Sequence, residues 1–493
     1  MTKVVRMVDV YSSLRPKGYP RDFVPQSTIF YEYFKANINF YGKVMMVLSL
    51  LILFPIALST FHAENLVVVK TQLRSGTFGS IFLFMGQFFL IVNIIIFGWR
   101  VYLYAKYRPE ESCTDDELMV CTVIVPAYNE GQQVWKTLQS LVASDYPAEK
   151  LEIIAVDDGS ADDTWYWIQK AAAEYPDRIR ALRQPRNMGK RHALYEGFLQ
   201  GRGEVFVTVD SDSLVDPQTI RLLLSPMVRN PKVGGMAGNV RVLNRDEGLL
   251  PIMQDVRFMY SFEFMRASQS MVDTVICTPG ALSAYRRSVV MKVLPEWMNQ
   301  TFLGRTANIG EDRAMTNLIL REGYYVRFQR NAKVYTNVPT TYKGTCKMFL
   351  RWARSNFRET LVMGKFIFKK FRETPVKGAR INFLLQVQTL TISQVFLVTS
   401  FLCLLWKPWV FAVTMLTGIA IRSVAPAALY YYRTRSSDAL WAYWYGVIWV
   451  LGFSWITPYA MFTLRKNGWL TRQLPQENQA TTQPPMFKTG LAS

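Results

Sequence analysis

Residues 119–130, MVCTVIVPAYNE, decide the fold of this chain: a short apolar run rich in β-forming residues ends in a turn, and a helical pattern follows. Similar runs return in LEIIAVDDGS at 151–160 and EVFVTVDSDS at 204–213. Strands that alternate with helices are typical of a mostly parallel α/β sheet, in which ligands bind beyond the carboxyl ends of the strands. We therefore expect one α/β domain between residues 107 and 340.

Polar side chains follow all three predicted strands. They are Asn129, Glu130, Asp157, Asp158, Asp210 and Asp212. A single acid after a strand is most often a helix cap, but three such ends in succession gather carboxylates that repel one another and call for a cation. An Asp-x-Asp pair suits Mg²⁺ or Mn²⁺, which carboxylates bind together with substrate phosphates. The chain contains 2 histidines, so a zinc site has little support.

A further acidic pair stands in the segment NIGEDRAMTNLILREGY at 308–324. Gly310 interrupts the chain directly before Glu311 and Asp312, and apolar residues then recur at helical spacing. Acids in the first turn of a helix are favoured by its dipole, which is one interpretation of the pair. Beside a metal site, such an acid can instead be the general base that removes a proton from an acceptor hydroxyl.

Apolar stretches long enough to cross a hydrocarbon core of about 30 Å flank this middle domain. They occupy 44–61, 76–99, 381–406, 408–432 and 439–464. Lysine and arginine are frequent before the first stretch, whereas the loop after it has only Lys70 and Arg74. By the positive-inside rule, the amino terminus and the middle domain face the cytoplasm.

The formal net charge of +20 raises the question of nucleic acid as a partner. Much of this charge lies beside apolar stretches, as in Lys365, Lys369, Lys370 and Arg372 before the third stretch. An anionic leaflet explains that placement better, so we expect membrane lipids and no nucleic acid. The 5 cysteines show no paired metal spacing, and disulfides are not expected.

Residues 44–472 resemble the processive family 2 membrane glycosyltransferases, the group of hyaluronan, chitin and cellulose synthases, and are most similar to the bacterial hyaluronan synthase type. The resemblance rests on the order and spacing of VIVPAYNE (123–130), VDDGS (156–160), NMGKRHAL (187–194), VDSDS (209–213), TPGALSAYR (278–286), FLGRTANIGEDRAMTN (302–317), FLRWARSNFRE (349–359) and NGWLTR (467–472). It implies a GT-A-like α/β catalytic domain in the cytoplasm, inserted between α-helical transmembrane segments and accompanied by interfacial amphipathic helices.

The resemblance also implies roles for individual residues. The nucleotide-sugar donor would be bound by Tyr128, Glu130, Asp157, Asp158, Lys190, Asp210, Arg351, Trp469, Thr471 and Arg472, the last three forming a gating segment. Asp210 and Asp212 would hold Mg²⁺ or Mn²⁺, and Asp312 would be the catalytic base. The acceptor would be bound by Gly280, Glu311 and Trp352, with Trp352 as the floor under the acceptor sugar.

The implied reaction is an inverting, processive transfer that builds a β-linked polysaccharide from a UDP-sugar, such as UDP-GlcNAc, UDP-GlcA or UDP-Glc, and translocates it across the bacterial inner membrane. The family usually has two glutamines before its Arg–Trp pair, whereas this chain has Met348, Phe349 and Leu350. A polymerase that uses a GDP-sugar, such as a mannuronan synthase, is therefore an alternative. A transferase that acts on a lipid acceptor is another. Accessory secretion proteins stay open as partners.

If all of the carboxyl-side stretches crossed the membrane, residues 469–472 would lie outside, where no donor exists. Gly446, Gly452 and Pro458 favour a broken interfacial helix instead. We therefore expect four full spans. The predicted organisation is a cytoplasmic segment at 1–43, two transmembrane helices at 44–106, the catalytic domain at 107–340, interfacial helices at 341–380, two transmembrane helices at 381–432, an interfacial helix and gating segment at 433–472, and a mobile tail at 473–493.

Overall fold

The computed structural model of the chain describes residues 26–62, 64–373 and 375–466. It divides into two units, Met1–Ile52 and Leu53–Ser493. The described residues of the smaller unit belong to helix α1 (Gln26–His62), whose side chains Met45, Leu51 and Ile52 are exposed. Exposed apolar side chains in a row are typical of a helix that faces lipid. All the elements that follow lie in the larger unit.

The α/β domain is built around an eight-stranded sheet with the order β3-β2-β1-β4-β7-β6-β10-β5. The strands are β1 (Cys121–Ala127), β2 (Leu151–Asp157), β3 (Ile179–Arg183), β4 (Val205–Val209), β5 (Ser213–Val215), β6 (Val233–Val242), β7 (Leu282–Arg286) and β10 (Tyr325–Thr336). Parallel pairs join β1 to β2 and β4, β2 to β3, and β6 to β10, whereas β7 and β5 pair antiparallel to their neighbours. The predicted, mostly parallel sheet is confirmed.

Helices cover both faces of this sheet. The helices of this part of the chain are α4 (Gln133–Val142), α5 (Thr164–Glu174), α6 (Lys190–Gln200), α7 (Thr219–Arg229), α8 (Leu249–Phe258), α9 (Met265–Ser270), α10 (Arg287–Met298), α11 (Glu311–Arg321) and α12 (Tyr342–Gly364). A π-helical segment, Met259–Phe264, joins α8 to α9, and the short strands β8 (Thr301–Phe302) and β9 (Arg305–Thr306) form a separate pair.

The apolar runs of the sequence form strands because the helices on both faces remove them from water. Every residue of β1 is buried, and Val123 and Ile124, which point to opposite faces, are both fully enclosed. On one face Val134, Leu138 and Leu141 of α4 pack at helical spacing. Since β1, β2 and β4 run parallel, their carboxyl ends meet at one edge of the sheet.

Five helices among the described residues are long and apolar enough to cross a membrane. They are Ile38–Thr60, Thr77–Lys106 (α3), Lys377–Trp406, Pro408–Thr434 (α15) and Ser437–Phe462. A short helix, α2 (Glu64–Arg74), precedes α3, and Lys377–Trp406 consists of α13 (Lys377–Leu390) and α14 (Ile392–Trp406). The predicted apolar stretches are therefore helical.

The last of these helices is irregular. A 3-10 turn (Ser437–Leu440) leads into α16 (Trp441–Ile448), a π-helical turn (Trp449–Phe453) follows, and α17 (Ile456–Phe462) ends it. The π-helical turn thus lies in the segment where the sequence predicts a broken helix. By length and composition this helix is nevertheless a candidate span. Four spans with an interfacial last helix stay a prediction.

Buried carboxylates connect the α/β domain to the apolar helices of the larger unit. Asp255 of α8 accepts hydrogen bonds from Arg241 of β6 at 2.9 and 2.8 Å and from the Tyr430 hydroxyl of α15 at 2.8 Å. Glu263 lies 2.9 Å from Nε of Arg433 and accepts a hydrogen bond from the Tyr104 hydroxyl at 3.1 Å. These contacts hold the carboxyl edge of the sheet beside the apolar helices.

Candidate active site

A cavity of about 580 Å³ opens at the carboxyl edge of the sheet. It is bordered by the ends of β1, β2 and β4, by the start of α11 and by α12. Ten of the residues singled out from the sequence line it: Tyr128, Asp158, Lys190, Asp210, Asp212, Gly280, Glu311, Asp312, Arg351 and Trp352. The structure therefore gathers residues that are spread over more than two hundred positions of the chain into one space.

Asp158 holds the loop that delivers Lys190. Its two carboxylate oxygens accept hydrogen bonds from the backbone nitrogens of Met188 and Gly189, each at 2.8 Å. Gly189 has φ of 95°, a conformation that glycine adopts without steric cost, and helix α6 begins at the next residue. The NMGK segment is thus a turn that places Lys190 on the first turn of a helix, at the cavity.

Lys190 lies between two carboxylates. Its Nζ donates to Oδ1 of Asp210 and lies 3.3 Å from Oε1 of Glu311. Burial by itself would lower the pKa of Lys190, but the charges of Asp210 and Glu311 outweigh it and raise the pKa above its ordinary value. A Cβ on Gly280 would lie 2.7 Å from Nζ, so glycine leaves room for this cation.

Glu311 and Asp312 begin helix α11 as expected, after Gly310 in the left-handed conformation with φ of 71°. Asp312 accepts hydrogen bonds through Oδ2 from the backbone nitrogen of Gly280 at 3.3 Å and through Oδ1 from that of Arg313 at 2.7 Å. These bonds aim the carboxylate at the cavity.

The two neighbouring acids have opposite pKa shifts. Burial, followed by repulsion from Glu311, raises the pKa of Asp312 to about 6. Burial also acts to raise the pKa of Glu311, but the positive charge of Lys190, with a contribution from Arg351, lowers it below the ordinary value. Environments that shift the pKa values of two carboxyl groups in opposite directions are typical of acid–base sites. Asp312 is therefore a carboxylate that can accept a proton near neutral pH.

Arg351 and Trp352 lie on α12 and also line the cavity. The ring of Trp352 packs on Phe258, with 6.1 Å between ring centroids, and on Phe349, with 5.7 Å. Two aromatic neighbours restrict the rotamer of Trp352, which still borders the cavity. Its ring is a rigid apolar surface of the kind on which a sugar ring can pack.

Several predicted site residues lie elsewhere. Asp157 is fully buried and lies 3.1 Å from Nε of Arg183, whereas its neighbour Asp158 borders the cavity. Glu130 lies outside the lining, and its backbone nitrogen donates to the hydroxyl of Thr164 at 2.8 Å. The gating residues Trp469, Thr471 and Arg472 lie outside the described residues.

The cavity also contains residues that the sequence did not single out. Sγ of Cys277 lies 3.9 Å from Oδ2 of Asp312. Arg257 and Arg266, on α8 and α9, border the cavity from the side of the apolar helices. Cys277 directly precedes the TPGALSAYR segment, and this position could have indicated that Cys277 lies at the site. None of the motifs quoted from the sequence includes either arginine.

Asp210 and Asp212 bring two carboxylates to the same cavity, and Oδ1 of Asp212 accepts a hydrogen bond from the Thr336 hydroxyl at 3.2 Å. Within the described ranges no group of three or more His, Cys, Asp and Glu side chains is arranged to hold a metal ion. Two hard oxygen donors fit a divalent ion that takes its remaining ligands from a phosphate group and from water.

The chain is similar to several known glycosyltransferases. Residues 120–355 match a family model described as glycosyltransferase like family 2. The chain is 33% identical over 307 residues to a hyaluronan synthase of Streptococcus pyogenes, across 58% of this chain and 72% of the relative. It is 30% identical over 367 residues to an N-acetylglucosaminyltransferase of Mesorhizobium japonicum, across 73% and 83%. A solved mannosyltransferase, PcManGT from Pyrobaculum calidifontis in complex with GDP-Man and Mn²⁺, has a TM-score of 0.48 at 20% identity, across 74% and 98%.

The sheet and its cavity define a GT-A-like glycosyltransferase that carries helices able to cross a membrane. The chain belongs to the family 2 glycosyltransferases, of the hyaluronan synthase type. The predicted fold class, family and enzyme class are confirmed.

Proposed function

We propose that this chain is a processive, inverting glycosyltransferase that polymerises a β-linked polysaccharide from nucleotide sugars on the cytoplasmic face of the membrane and passes the product across it. The observation that carries the proposal is the single cavity that joins Lys190 and Asp210 to Asp312 and Trp352. The residues proposed to bind the donor, the proposed base and the proposed platform for the acceptor sugar therefore line the same cavity.

The donor end of the cavity is suited to a nucleoside diphosphate. As the bond to the sugar breaks, negative charge grows on the diphosphate, and the cations Lys190 and Arg351 are available to neutralise it. Asp210 and Asp212 would hold Mg²⁺ or Mn²⁺, which supplies further charge neutralisation when bound. Tyr128 and Asp158 would contact the nucleotide.

Asp312 would take the proton from the acceptor hydroxyl. Its pKa of about 6 keeps most of it deprotonated at neutral pH while leaving it a stronger base than an ordinary aspartate. A single displacement at the anomeric carbon inverts configuration, so an α-linked donor gives a β-linked product. Trp352 would hold the acceptor sugar so that the hydroxyl reaches Asp312.

Processive synthesis and export are supported by the direction in which the cavity extends. Its lining continues past Trp352 to Gln386 of α13, within the candidate span Lys377–Trp406. A polymer that grows at Asp312 would therefore lead towards an apolar helix. UDP-sugars such as UDP-GlcNAc, UDP-GlcA and UDP-Glc are the favoured donors.

The test uses the full chain in lipid vesicles with a panel of UDP- and GDP-sugars, with Mg²⁺ or Mn²⁺ and after chelation. Metal-dependent release of nucleoside diphosphate, with long polymer protected inside inside-out vesicles, is the expected result. Transfer of one sugar to lipid would reject processivity. Turnover with GDP-sugars alone would reject the UDP-sugar assignment, and polymer found only outside the vesicles would reject export.

A further inference from the structure

Trp297 of α10 is fully buried and contacts the start of α11. Its indole Nε1 donates to the backbone oxygen of Glu311 at 2.8 Å. Trp297, Glu311, Asp312 and Met315 are among the residues that border a space of only about 10 Å³, so the indole packs close to the acid pair. Trp297 does not belong to the lining of the large cavity. It therefore reaches the two acids from the interior of the protein and not from the side open to a substrate.

Arg191 in turn holds Trp297. It directly follows Lys190 on α6, and its Nη1 donates to the backbone oxygen of Trp297 at 2.6 Å, with Cζ 5.0 Å from the ring centroid. Phe198, also on α6, packs edge-on against the same ring, with 5.8 Å between ring centroids. Burial lowers the pKa of Arg191 to about 10, so its charge is retained at neutral pH. A charge-assisted hydrogen bond and ring packing thus hold Trp297 against α6.

Two connections therefore join α6 to the start of α11. One is direct, because Nζ of Lys190 lies 3.3 Å from Oε1 of Glu311. The other runs from Arg191 through Trp297 to the backbone oxygen of the same glutamate. Since the stem of a lysine side chain is flexible, the ion pair alone would leave the start of the helix free to shift. The bond to the backbone removes that freedom, and Asp312 follows in the same helical turn.

We infer that Trp297 is a positioning residue of the site, which together with Arg191 holds the turn of Glu311 and Asp312 at a fixed place relative to Lys190. The inference rests on the proposed function and adds to it two buried residues that lie outside the cavity lining. A reacting group that is displaced by about 1 Å can cost about 10²-fold in rate. A contact behind the acids can therefore act on turnover without touching a substrate.

The test removes the indole N–H from the full chain in two ways. Trp297→Phe keeps an aromatic ring but leaves part of the space empty, whereas benzothienylalanine at position 297 keeps the bicyclic shape and has sulfur in place of the N–H group. Both changes should lower kcat by about 10- to 100-fold. The dissociation constant of the nucleoside diphosphate should change by less than about threefold, because Lys190 keeps its contact with Asp210.

A second measurement does not depend on turnover. Amide hydrogen exchange in peptides that cover residues 311–317 should become about tenfold faster in both variants, since the start of α11 has lost an anchor. Arg191→Met should change kcat and exchange in the same direction. Arg191→Lys should recover part of both losses, because lysine retains a charged donor for the backbone oxygen of Trp297.

Tyr107→Phe is the matched control. Tyr107 is buried and lies outside the cavity lining, and its hydroxyl donates to the backbone oxygen of Phe328 at 2.8 Å. The variant therefore also removes a buried hydrogen bond from an aromatic side chain to a carbonyl. Its unfolding temperature should fall, while kcat and the exchange at residues 311–317 should stay at the wild-type values.

The outcomes separate positioning from a purely structural role. If either kcat or the exchange rate stayed at the wild-type value with benzothienylalanine at position 297, the inference would be rejected. Equal losses of kcat in Trp297→Phe and Tyr107→Phe would reject it as well, since they would follow general stability. A wild type that releases no nucleoside diphosphate from any donor would instead reject the proposed function, and the exchange rates alone would then decide the role of Trp297.

Discussion

The ammonium nitrogen of Lys190 lies 3.3 Å from Oε1 of Glu311, the residue next to the proposed base Asp312. This contact explains why two adjacent acids behave differently. The charge of Lys190 lowers the pKa of Glu311, and the resulting negative charge then contributes to the raised pKa of Asp312. A donor-binding cation and the base are thus linked through one carboxylate.

Replacing the base should remove turnover and leave donor binding. Asp312→Asn keeps the shape of the side chain but cannot accept the proton, so diphosphate release should fall by about 10²- to 10⁴-fold. The dissociation constant of the nucleotide should change little. Turnover comparable to that of the wild type would reject Asp312 as the base.

The pH dependence of turnover should follow the ionisation of Asp312. Since the deprotonated form is active and the pKa is about 6, the rate should rise with pH through that value and level off above it. In Glu311→Gln the repelling charge is removed, so the rising limb should move to lower pH. A limb that stays in place would show that Glu311 does not set this pKa.

Gly310 is expected to tolerate no side chain. A Cβ there would lie 1.8 Å from Oγ of Ser355 on α12, and φ is 71°. Gly310→Ala should destabilise the protein through backbone strain of about 1–2 kcal/mol and overpacking of about 1–3 kcal/mol. Gly304→Ala is the matched control, because φ is 77° there but no atom lies within 4 Å. If both variants lost the same amount of unfolding temperature, the destabilisation would come from backbone strain alone.

Glu359 should be required to join the two helices of the site. It is fully buried on α12 and accepts hydrogen bonds from Gln300 and Asn317, each at 3.0 Å, and from Arg358 at 2.8 Å. Asn317 belongs to α11, which begins with the two acids of the site. Glu359→Gln leaves the buried guanidinium of Arg358 uncompensated, at a cost of about 3–5 kcal/mol, and should lower both the unfolding temperature and kcat.

The control for Glu359 is Glu296→Gln. Glu296 pairs with Arg321 at 2.6 Å, but its side chain is 56% exposed. An exposed pair of this kind contributes about 0–1 kcal/mol, so the control should unfold close to the wild-type temperature. Similar losses in the two variants would argue against a special role for the buried carboxylate.

Much of the fold of the catalytic domain could be predicted from the sequence, because its strands and helices are encoded by local sequence patterns. The apolar runs that form β1, β2 and β4 are recognised from residues that are close together in the chain. The same holds for the helical spacing of Val134, Leu138 and Leu141. Strand ends followed by Asp158, Asp210 and Asp212 were found in the same way. The gathering of these acids at one edge could be expected, because parallel strands end together.

Only the tertiary structure decided which side chains face the cavity. Asp157 and Asp158 are adjacent in sequence, but side chains alternate along an extended strand, and only Asp158 lines the cavity while Asp157 contacts Arg183. Cys277 and Arg257 reach the site through contacts between elements far apart in the chain, which no local pattern records. The sequence by itself thus determined the sheet, its acidic edge and the apolar helices, since these follow from short-range periodicity. Packing decided the charges around Asp312 and left Arg257 held by aromatic rings.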